Sequence, residues 1–181
     1  MRPLRSVCVF LSSSDGRPED VAAIKALSRE LAARDLTLVY GGAHRGLMGV
    51  LADEMLAAGG KVIGVIPRAL VDLEVAHTGL TEQHIVDTMH QRKAMMFTLC
   101  DGFVVAPGGF GTLEEAFEQL TGIQLSYHDK PVVFLDVDRF WSHMEAFLDH
   151  ATQIGVLRPE MRAVFRTASS ASAALDALVQ W

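Results

Sequence analysis

Short apolar runs alternate along this chain with segments whose apolar residues recur at helical spacing. Val21, Ile24, Leu27 and Leu31, for example, fall on one face of a predicted helix. Residues 69–88 show weak periodicity and predict a long, partly ordered excursion. The apolar runs predict strands at residues 7–11, 36–40, 62–66, 102–106 and 131–135, with a weaker sixth strand at 163–166.

This alternation predicts the fold class. Continuously apolar strands that are each followed by a helix are typical of a parallel sheet buried on both faces. Right-handed crossovers then give an α/β protein, a Rossmann-like doubly wound parallel sheet in a three-layer α/β/α sandwich. Because no internal repeat, low-complexity tract or linker interrupts the 181 residues, we expect a single domain, residues 1–181. Ligands of such sheets bind at the carboxyl ends of the strands.

Composition narrows the class of partner. The chain is 50% hydrophobic with a net charge of -6, which argues against nucleic acid or an anionic membrane. No run approaches the ~20 apolar residues of a membrane helix, and the N-terminus lacks the apolar segment of a signal peptide. Cys8 and Cys100 lie in apolar surroundings and predict neither a disulfide nor a metal site. We therefore expect a cytoplasmic protein that binds a small molecule, but no membrane.

Residues 107–115, with the sequence PGGFGTLEE, carry the densest chemical signal. They join a predicted strand to a predicted helix, where Gly108, Gly109 and Gly111 let the backbone approach an anion closely. The helix N-terminus adds unpaired N–H groups and a favourable dipole. Because an anion gains nothing from Glu115, we expect the loop to hold a phosphate and to place a carboxylate further along the ligand.

A structural alternative for this loop stays open. Thr112 and Glu115 also fit a capping box, in which the Thr112 hydroxyl accepts from the Glu115 amide and Glu115 reaches back. The loop is not a Walker loop, because no Gly-Lys-Ser/Thr follows. A dinucleotide fingerprint would follow the first strand, where this chain has Ser12 and Ser13.

A pair of cations, Arg92 and Lys93, lies at the start of the predicted helix at residues 89–99. Cations at this end oppose the helix dipole, which indicates that an external anion or a carboxylate compensates them. The guanidinium of Arg92 suits a phosphate or a pair of ribose hydroxyls. A solvated basic turn is an equal alternative for Lys93, and Met89 either packs in the core or lines a slot for a flat ring.

The loops after the first two strands give weaker signals. Ser12 and Ser13 either donate to a phosphate or cap the following helix. Gly42 belongs to a second glycine-bounded loop, which either contacts the ligand or only makes a tight turn. Glu74 and Glu82 flank His77, but their spacing matches no ordinary set of metal ligands, so we predict no metal site.

Four motifs in this order resemble the LONELY GUY family of cytokinin-activating phosphoribohydrolases, whose members are often labelled lysine decarboxylases. They are YGG at 40–42, GLMG at 46–49, MHxRK at 89–93 and PGGxGTxxE at 107–115. The resemblance runs from the first strand to about Leu135. It implies a Rossmann-like homodimer, without a cofactor, that hydrolyses the N-glycosidic bond of a nucleoside 5'-monophosphate to an adenine-type base and ribose 5-phosphate.

The resemblance also implies roles for particular residues. Arg92 and Glu115 would be the catalytic pair. The residues that it implies around the substrate are Glu74, Lys93, Gly109, Phe110, Gly111, Thr112 and Thr121; the candidates Ser12, Ser13, Gly42 and Gly108 come from the glycine and serine loops.

This activity agrees with the local chemistry. Cleavage of a ribosyl C–N bond develops oxocarbenium character at the anomeric carbon. A helix N-terminus would favour the ionised form of Glu115, which could stabilise this cation or deprotonate the attacking water. AMP and an N6-prenylated nucleotide both stay open as substrates.

Three other functions need comparison. A non-catalytic nucleotide or cofactor carrier could use the same loop, but would gain nothing from the Arg92 and Glu115 pair. A lysine decarboxylase would need a lysine for pyridoxal phosphate, and Lys93 is the only lysine in a candidate site. A nicotinamide-dependent oxidoreductase would need the missing fingerprint.

Overall fold

The computed structural model of the chain describes residues 3–73 and 75–181, and it confirms the Rossmann-like α/β/α sandwich. Within these residues seven strands form one parallel sheet in the order β4-β3-β2-β1-β5-β6-β7. The strands are β1 (Ser6–Phe10), β2 (Thr37–Tyr40), β3 (Val62–Pro67), β4 (Glu82–Val86), β5 (Gly102–Val105), β6 (Val132–Leu135) and β7 (Arg166–Ala168). The helices are α1 (Pro18–Ala33), α2 (Gly46–Ala57), α3 (Arg68–Val71), α4 (Met89–Leu99), α5 (Phe110–Gln124), α6 (Ser142–Gln153), α7 (Pro159–Arg162) and α8 (Ala171–Val179).

The helices cover both faces of the sheet because side chains alternate along each strand. On β1, Val7 and Val9 point to one face, where they pack with α1, α2 and α8. Cys8 and Phe10 point to the other face, where they pack with α4, α5 and α6. Continuous apolar runs therefore predicted the central strands correctly, since both faces of those strands are buried.

The strand order places the site. The chain runs outward from β1 to the edge at β4, and then returns to β5 on the other side of β1. β1 and β5 are neighbours in the sheet, but the chain leaves them toward opposite edges. The loops that follow these two strands therefore separate and open a crevice at the carboxyl end of the sheet. The candidate serines follow β1, and residues 107–109 follow β5.

The prediction for the polar excursion was incomplete. Residues 69–88 contain strand β4, which pairs in parallel with β3 from Ile63↔Glu82 to Pro67↔Val86. As an edge strand, β4 has the polar sequence EQHIV and lacks the apolar run of a buried strand.

The last predicted strand was displaced. We expected it at residues 163–166, but β7 spans Arg166–Ala168, because Ala163 ends the short helix α7. In the described part of the chain, no helix combines the length and apolar content needed to cross a bilayer.

Candidate active site

Helix α5 begins beside the crevice with an uncapped N-terminus. Gly109 is its N-cap residue, and among the described residues no side chain caps the helix there. The first backbone amides of a helix have no carbonyl partner within it. The N–H groups at residues 109–112 therefore offer hydrogen bonds and a favourable dipole to an anion in the crevice.

The capping-box alternative is wrong, since the helix starts three residues before the position that it requires. Thr112 lies inside the first turn of α5 and packs over Gly108, where a side chain would collide with its hydroxyl. Glu115 lies one turn further along, where it is buried and faces Arg92 rather than its own backbone.

Arg92 and Glu115 form a buried ion pair that joins α4 to α5. Arg92 Nη1 donates to Glu115 Oε1 at 3.1 Å, and both side chains are 7% exposed. Arg92 Nε donates to the carbonyl oxygen of Val65 at 3.1 Å, which fixes the guanidinium against the end of β3. Because a buried charge is costly without a partner, each residue holds the other in this position.

Burial changes the proton affinity of Glu115. Desolvation raises the pKa of this carboxyl above its ordinary value, and the positive charge of Arg92 opposes that rise. We expected a helix N-terminus to favour the ionised form, but Glu115 lies beyond the first turn, where this effect fades. A carboxylate with a raised pKa takes a proton from water more readily than an ordinary glutamate does.

Lys93 points away from this pair. Its ammonium contacts Glu114 and lies 3.2 Å from Glu118 Oε1. The hydrogen bond to Glu114 raises the pKa of Lys93. Carboxylates of α5 thus compensate both cations of α4, which is one of the two possibilities that the dipole argument left open.

The loop after β1 forms the opposite wall of the crevice. The Ser12 amide donates to the carbonyl oxygen of Pro107 at 3.1 Å, which ties this loop to the one after β5. The Ser12 hydroxyl accepts from the Ser14 amide at 3.0 Å and still has a proton to donate. Ser14 also accepts from the amide of Leu47 at the start of α2.

The loop after β2 is fixed by the excursion that follows β3. His77 donates its amide to the carbonyl oxygen of Gly42 at 2.9 Å, and Ala43 pairs with Ala76 in an antiparallel bridge. The His77 ring accepts from Gly79 through Nδ1 and meets Asp53 through Nε2 at 2.9 Å. His77 therefore fastens this segment to α2.

These elements enclose a cavity of about 240 Å³. Its lining includes eight of the predicted site residues: Ser12, Ser13, Arg92, Gly109, Phe110, Gly111, Thr112 and Glu115. Arg92, Glu114 and Glu115 supply charged groups to this lining, whereas Met48, Met89 and Phe110 supply apolar surface. The arrangement offers anion-binding amides, a fixed carboxylate and a surface for a flat ring in one crevice.

The structure does not bring every predicted residue to this cavity. Gly42 packs against β3 and Gly108 lies beneath Thr112. Lys93 lies in the groove between α4 and α5, and Thr121 lies about 16 Å along α5 from its first residue. Glu74 lies outside the described residues.

Sequence reasoning did not assign some of the residues that form the site. Leu11, Ser14 and Glu114 line the cavity as neighbours of predicted residues, and adjacency was the available signal. The carbonyl oxygen of Val65, which orients Arg92, had no signal in the sequence, because any residue supplies a carbonyl group.

A larger cavity of about 410 Å³ lies at the opposite end of the sheet. Its lining includes Leu4, Pro131 and Trp181, which lie near the amino ends of strands or at the C-terminus. Parallel sheets of this type bind ligands at the carboxyl ends of their strands. The smaller cavity is therefore the candidate active site.

Fold and geometry together define a Rossmann-like α/β protein with a candidate ligand site at its switch point. The profile of a protein family described as "possible lysine decarboxylase" matches residues 48–178. The chain is 43% identical over 168 residues to cytokinin riboside 5'-monophosphate phosphoribohydrolase LOG5 of Arabidopsis thaliana, covering 92% of this chain and 74% of the relative. It is 44% identical over 160 residues to cytokinin riboside 5'-monophosphate phosphoribohydrolase of Rhodococcoides fascians, covering 87% and 81%.

The chain belongs to the LONELY GUY family of phosphoribohydrolases, as its motifs predicted. Among solved structures, it matches the molybdenum cofactor binding protein of Rippkaea orientalis with a TM-score of 0.76 at 18% identity, covering 99% of this chain and 98% of that one. The molybdenum cofactor carrier protein of Chlamydomonas reinhardtii matches with a TM-score of 0.73 at 18% identity, covering 98% of each chain. At this identity the likeness concerns the fold.

Proposed function

We propose that this protein hydrolyses the N-glycosidic bond of an adenine-type nucleoside 5'-monophosphate, a cytokinin ribotide or AMP, to the free base and ribose 5-phosphate. The observation that carries the proposal is the buried Arg92–Glu115 pair beside the open N-terminus of α5. A phosphate needs positively polarised groups and a developing cation needs a negative one. The first turn of α5 and the Glu115 carboxylate line the same cavity and offer one of each.

The phosphate binds at the start of α5. The amides of residues 109–112 donate to its oxygens, and Ser12 or Ser13 donates from the facing loop. Gly109 and Gly111 leave this approach unobstructed, because a Cβ at either position would meet nothing within 4 Å. Binding energy from the phosphate then positions the ribose for the reaction.

Glu115 acts on the anomeric carbon. As the C–N bond breaks, its electron pair leaves with the base and the ribosyl carbon gains oxocarbenium character. The Glu115 carboxylate stabilises that charge and accepts a proton from the water that adds to the carbon. Solvent protonates the nitrogen of the departing base, and Glu115 then returns its proton to solvent, so that one water is divided between the base and the ribose. Arg92 keeps the carboxylate in place and contributes positive charge toward the phosphate.

The base rests on the apolar wall of the crevice. Met48 and Met89 offer flexible side chains that can pack against a flat ring, with or without an N6-prenyl group. Phe110, 95% exposed at the start of α5, offers an aromatic face beside them. This wall accepts an adenine-type ring by shape and apolar contact.

A homodimer completes the site. The cavity of about 240 Å³ is smaller than the roughly 300–1,000 Å³ of typical ligand pockets. An aromatic side chain as exposed as Phe110 gains stability from a covering surface. A partner that covers this rim would also approach Lys93, because Lys93 contacts Glu114 of the cavity lining, whereas Thr121 lies further along α5 against α6 and α7. The two unpaired cysteines, Cys8 and Cys100, suit a reducing compartment such as the cytoplasm.

The reaction is tested by incubating the purified protein with AMP and, separately, with its N6-isopentenyl analogue. Chromatography should reveal free base and ribose 5-phosphate in equal amounts. A protein that binds these nucleotides tightly in calorimetry without releasing base is a carrier, and the proposal is then wrong. GMP and CMP serve as comparison substrates, and light scattering at assay concentration should give the mass of a dimer.

A further inference from the structure

Gly41 lies directly against the Arg92 guanidinium, outside the set of residues that line the cavity. A Cβ placed on Gly41 would overlap Arg92 Nη2 and would lie 3.1 Å from Cζ. The next nearest atom to this Cβ would be Met48 Cε, at 3.4 Å. The space that the missing side chain leaves is therefore occupied by one end of the catalytic guanidinium.

We propose that Gly41 is a positioning residue of this enzyme, because its missing side chain is the socket that seats Arg92 against Glu115. The inference rests on the proposed function, since it matters for catalysis only if this pair acts on the substrate. The three atoms of the guanidinium fork are then fixed separately: Nε by Val65, Nη1 by Glu115 and Nη2 by the space at Gly41.

The backbone at Gly41 has little freedom to move away from an added side chain. Tyr40 pairs with Gly64 in the sheet, and its hydroxyl donates to the carbonyl oxygen of Ala43 at 3.1 Å. Gly42 accepts from His77, and its own α-carbon packs closely on β3. A methyl group at position 41 therefore displaces the arginine rather than the loop.

Such a displacement leaves the fold intact. The colliding atom is the far end of a long, flexible side chain, and Gly41 does not have a positive φ that an alanine would strain. The change instead lengthens the Arg92–Glu115 contact. Displacements of about 1 Å at a catalytic centre cost up to roughly 10²-fold in rate.

The first experiment compares Gly41→Ala with Gly60→Ala. Gly60 is a matched control, because a Cβ there would lie 2.8 Å from Met55 Sδ, another flexible side chain, away from the cavity. We expect Gly41→Ala to lower kcat by about 10- to 100-fold with an almost unchanged melting temperature. Gly60→Ala should keep the wild-type rate. Equal rates for both variants would overturn the inference.

The pH profile separates a positioning role from a general loss of structure. Arg92 and Lys93 lower the pKa of Glu115, while Glu114 and Glu118 raise it. Gly41→Ala moves only Arg92 away from Glu115, which weakens an interaction that lowers the pKa of this carboxyl. The acid limb of kcat/KM should therefore shift to higher pH. A lower rate with an unshifted acid limb would contradict the socket.

A double-mutant cycle with Arg92→Lys isolates the contact. Lysine lacks the Nη2 group, so Gly41→Ala should cost almost nothing further in that background. If the two losses multiply instead, Gly41 acts through another neighbour. Should Gly41→Ala fail to fold, Gly41→Ala/Arg92→Lys should recover folding, because lysine removes the colliding group and keeps a cation beside Glu115. If Arg92→Lys folds and the double variant does not, the inference is rejected.

The outcomes also distinguish this inference from the proposed function. If Glu115→Gln and Arg92→Lys keep full activity, the proposed chemistry is wrong. If those variants lose activity and Gly41→Ala does not, the chemistry stands and the socket alone is rejected.

Discussion

Two glycine-rich loops leave strands on either side of β1, one after β5 and one after β2. Each contains paired glycines and leads into a helix, so the two look alike in sequence. After β5, the loop leaves the first amides of α5 without a side-chain cap beside the cavity. After β2, the loop is bonded to residues 75–77, and α2 begins against the backbone of the serine loop.

The difference lies in what approaches the glycines. At Gly109 and Gly111 a Cβ would meet nothing within 4 Å, so the space is available to a ligand. At Gly41 and Gly46 it would meet Arg92 and the carbonyl oxygens of Ser13 and Ser14. The first loop is therefore open for a substrate, while the second lets parts of the protein itself pack closely.

The strongest test of the open loop is Glu115→Gln. The amide keeps the shape of the side chain but removes the charge that the reaction needs, so turnover should fall by about 10³-fold. Nucleotide binding should persist in calorimetry. Glu118→Gln is the control on the same helix, because Glu118 contacts Lys93 at the surface, and its rate should stay near wild type. Lost binding in Glu115→Gln would indicate a structural role instead.

Arg92→Ala should reduce both affinity and rate, and it should also destabilise the fold. It leaves Glu115 buried without its partner, which typically costs about 3–5 kcal/mol in the free energy of unfolding. Arg29→Ala breaks the exposed contact with Glu54 and should cost less than about 1 kcal/mol. Denaturant unfolding measures both values. Near-normal release of base by Arg92→Ala would remove this residue from the mechanism.

The comparison of loops predicts opposite effects for two glycine substitutions. Gly46→Ala places a Cβ against backbone oxygens at a φ of 55°, so stability should fall by about 1–3 kcal/mol. Gly111→Ala meets open space within a helix, so stability should hold or rise slightly, whereas KM should rise roughly tenfold. Thermal unfolding and steady-state kinetics on both variants measure these effects. The comparison of the loops is wrong if Gly46→Ala raises KM without loss of stability and Gly111→Ala lowers stability without a change in KM.

The sequence predicted the open loop more fully than the closed one, for a physical reason. Helix α4 was predicted at residues 89–99 and spans them, because Thr88 caps it and a buried strand follows. Residues 107–115 were also recognised, since their glycines and Glu115 are local signals. The socket at Gly41 depends on a side chain 51 residues away, whose rotamer is set by the carbonyl group of Val65. Only the folded chain brings these groups together.

The smallest expected effect is a change in the pH dependence of activity, caused by Glu115 on the helix that follows the open loop. Burial raises the pKa of Glu115 above the ordinary 4.5, so part of this carboxyl is protonated where a solvated glutamic acid is ionised. Activity that needs the carboxylate should therefore fall, as pH decreases, at a pH above 4.5. The acid limb of kcat/KM in the wild-type enzyme measures this directly.

Stability should respond to the same group in the opposite direction. Since the folded state binds this proton more tightly than the unfolded chain, the contribution of Glu115 to unfolding free energy is largest below pH 4.5. It is lost as pH rises through the raised pKa. Glu115→Gln lacks the titrating group, so its unfolding free energy should lose this part of the pH dependence. Identical pH dependence in the two proteins would mean that burial leaves the acidity of Glu115 unchanged, and the acid limb would then need another group.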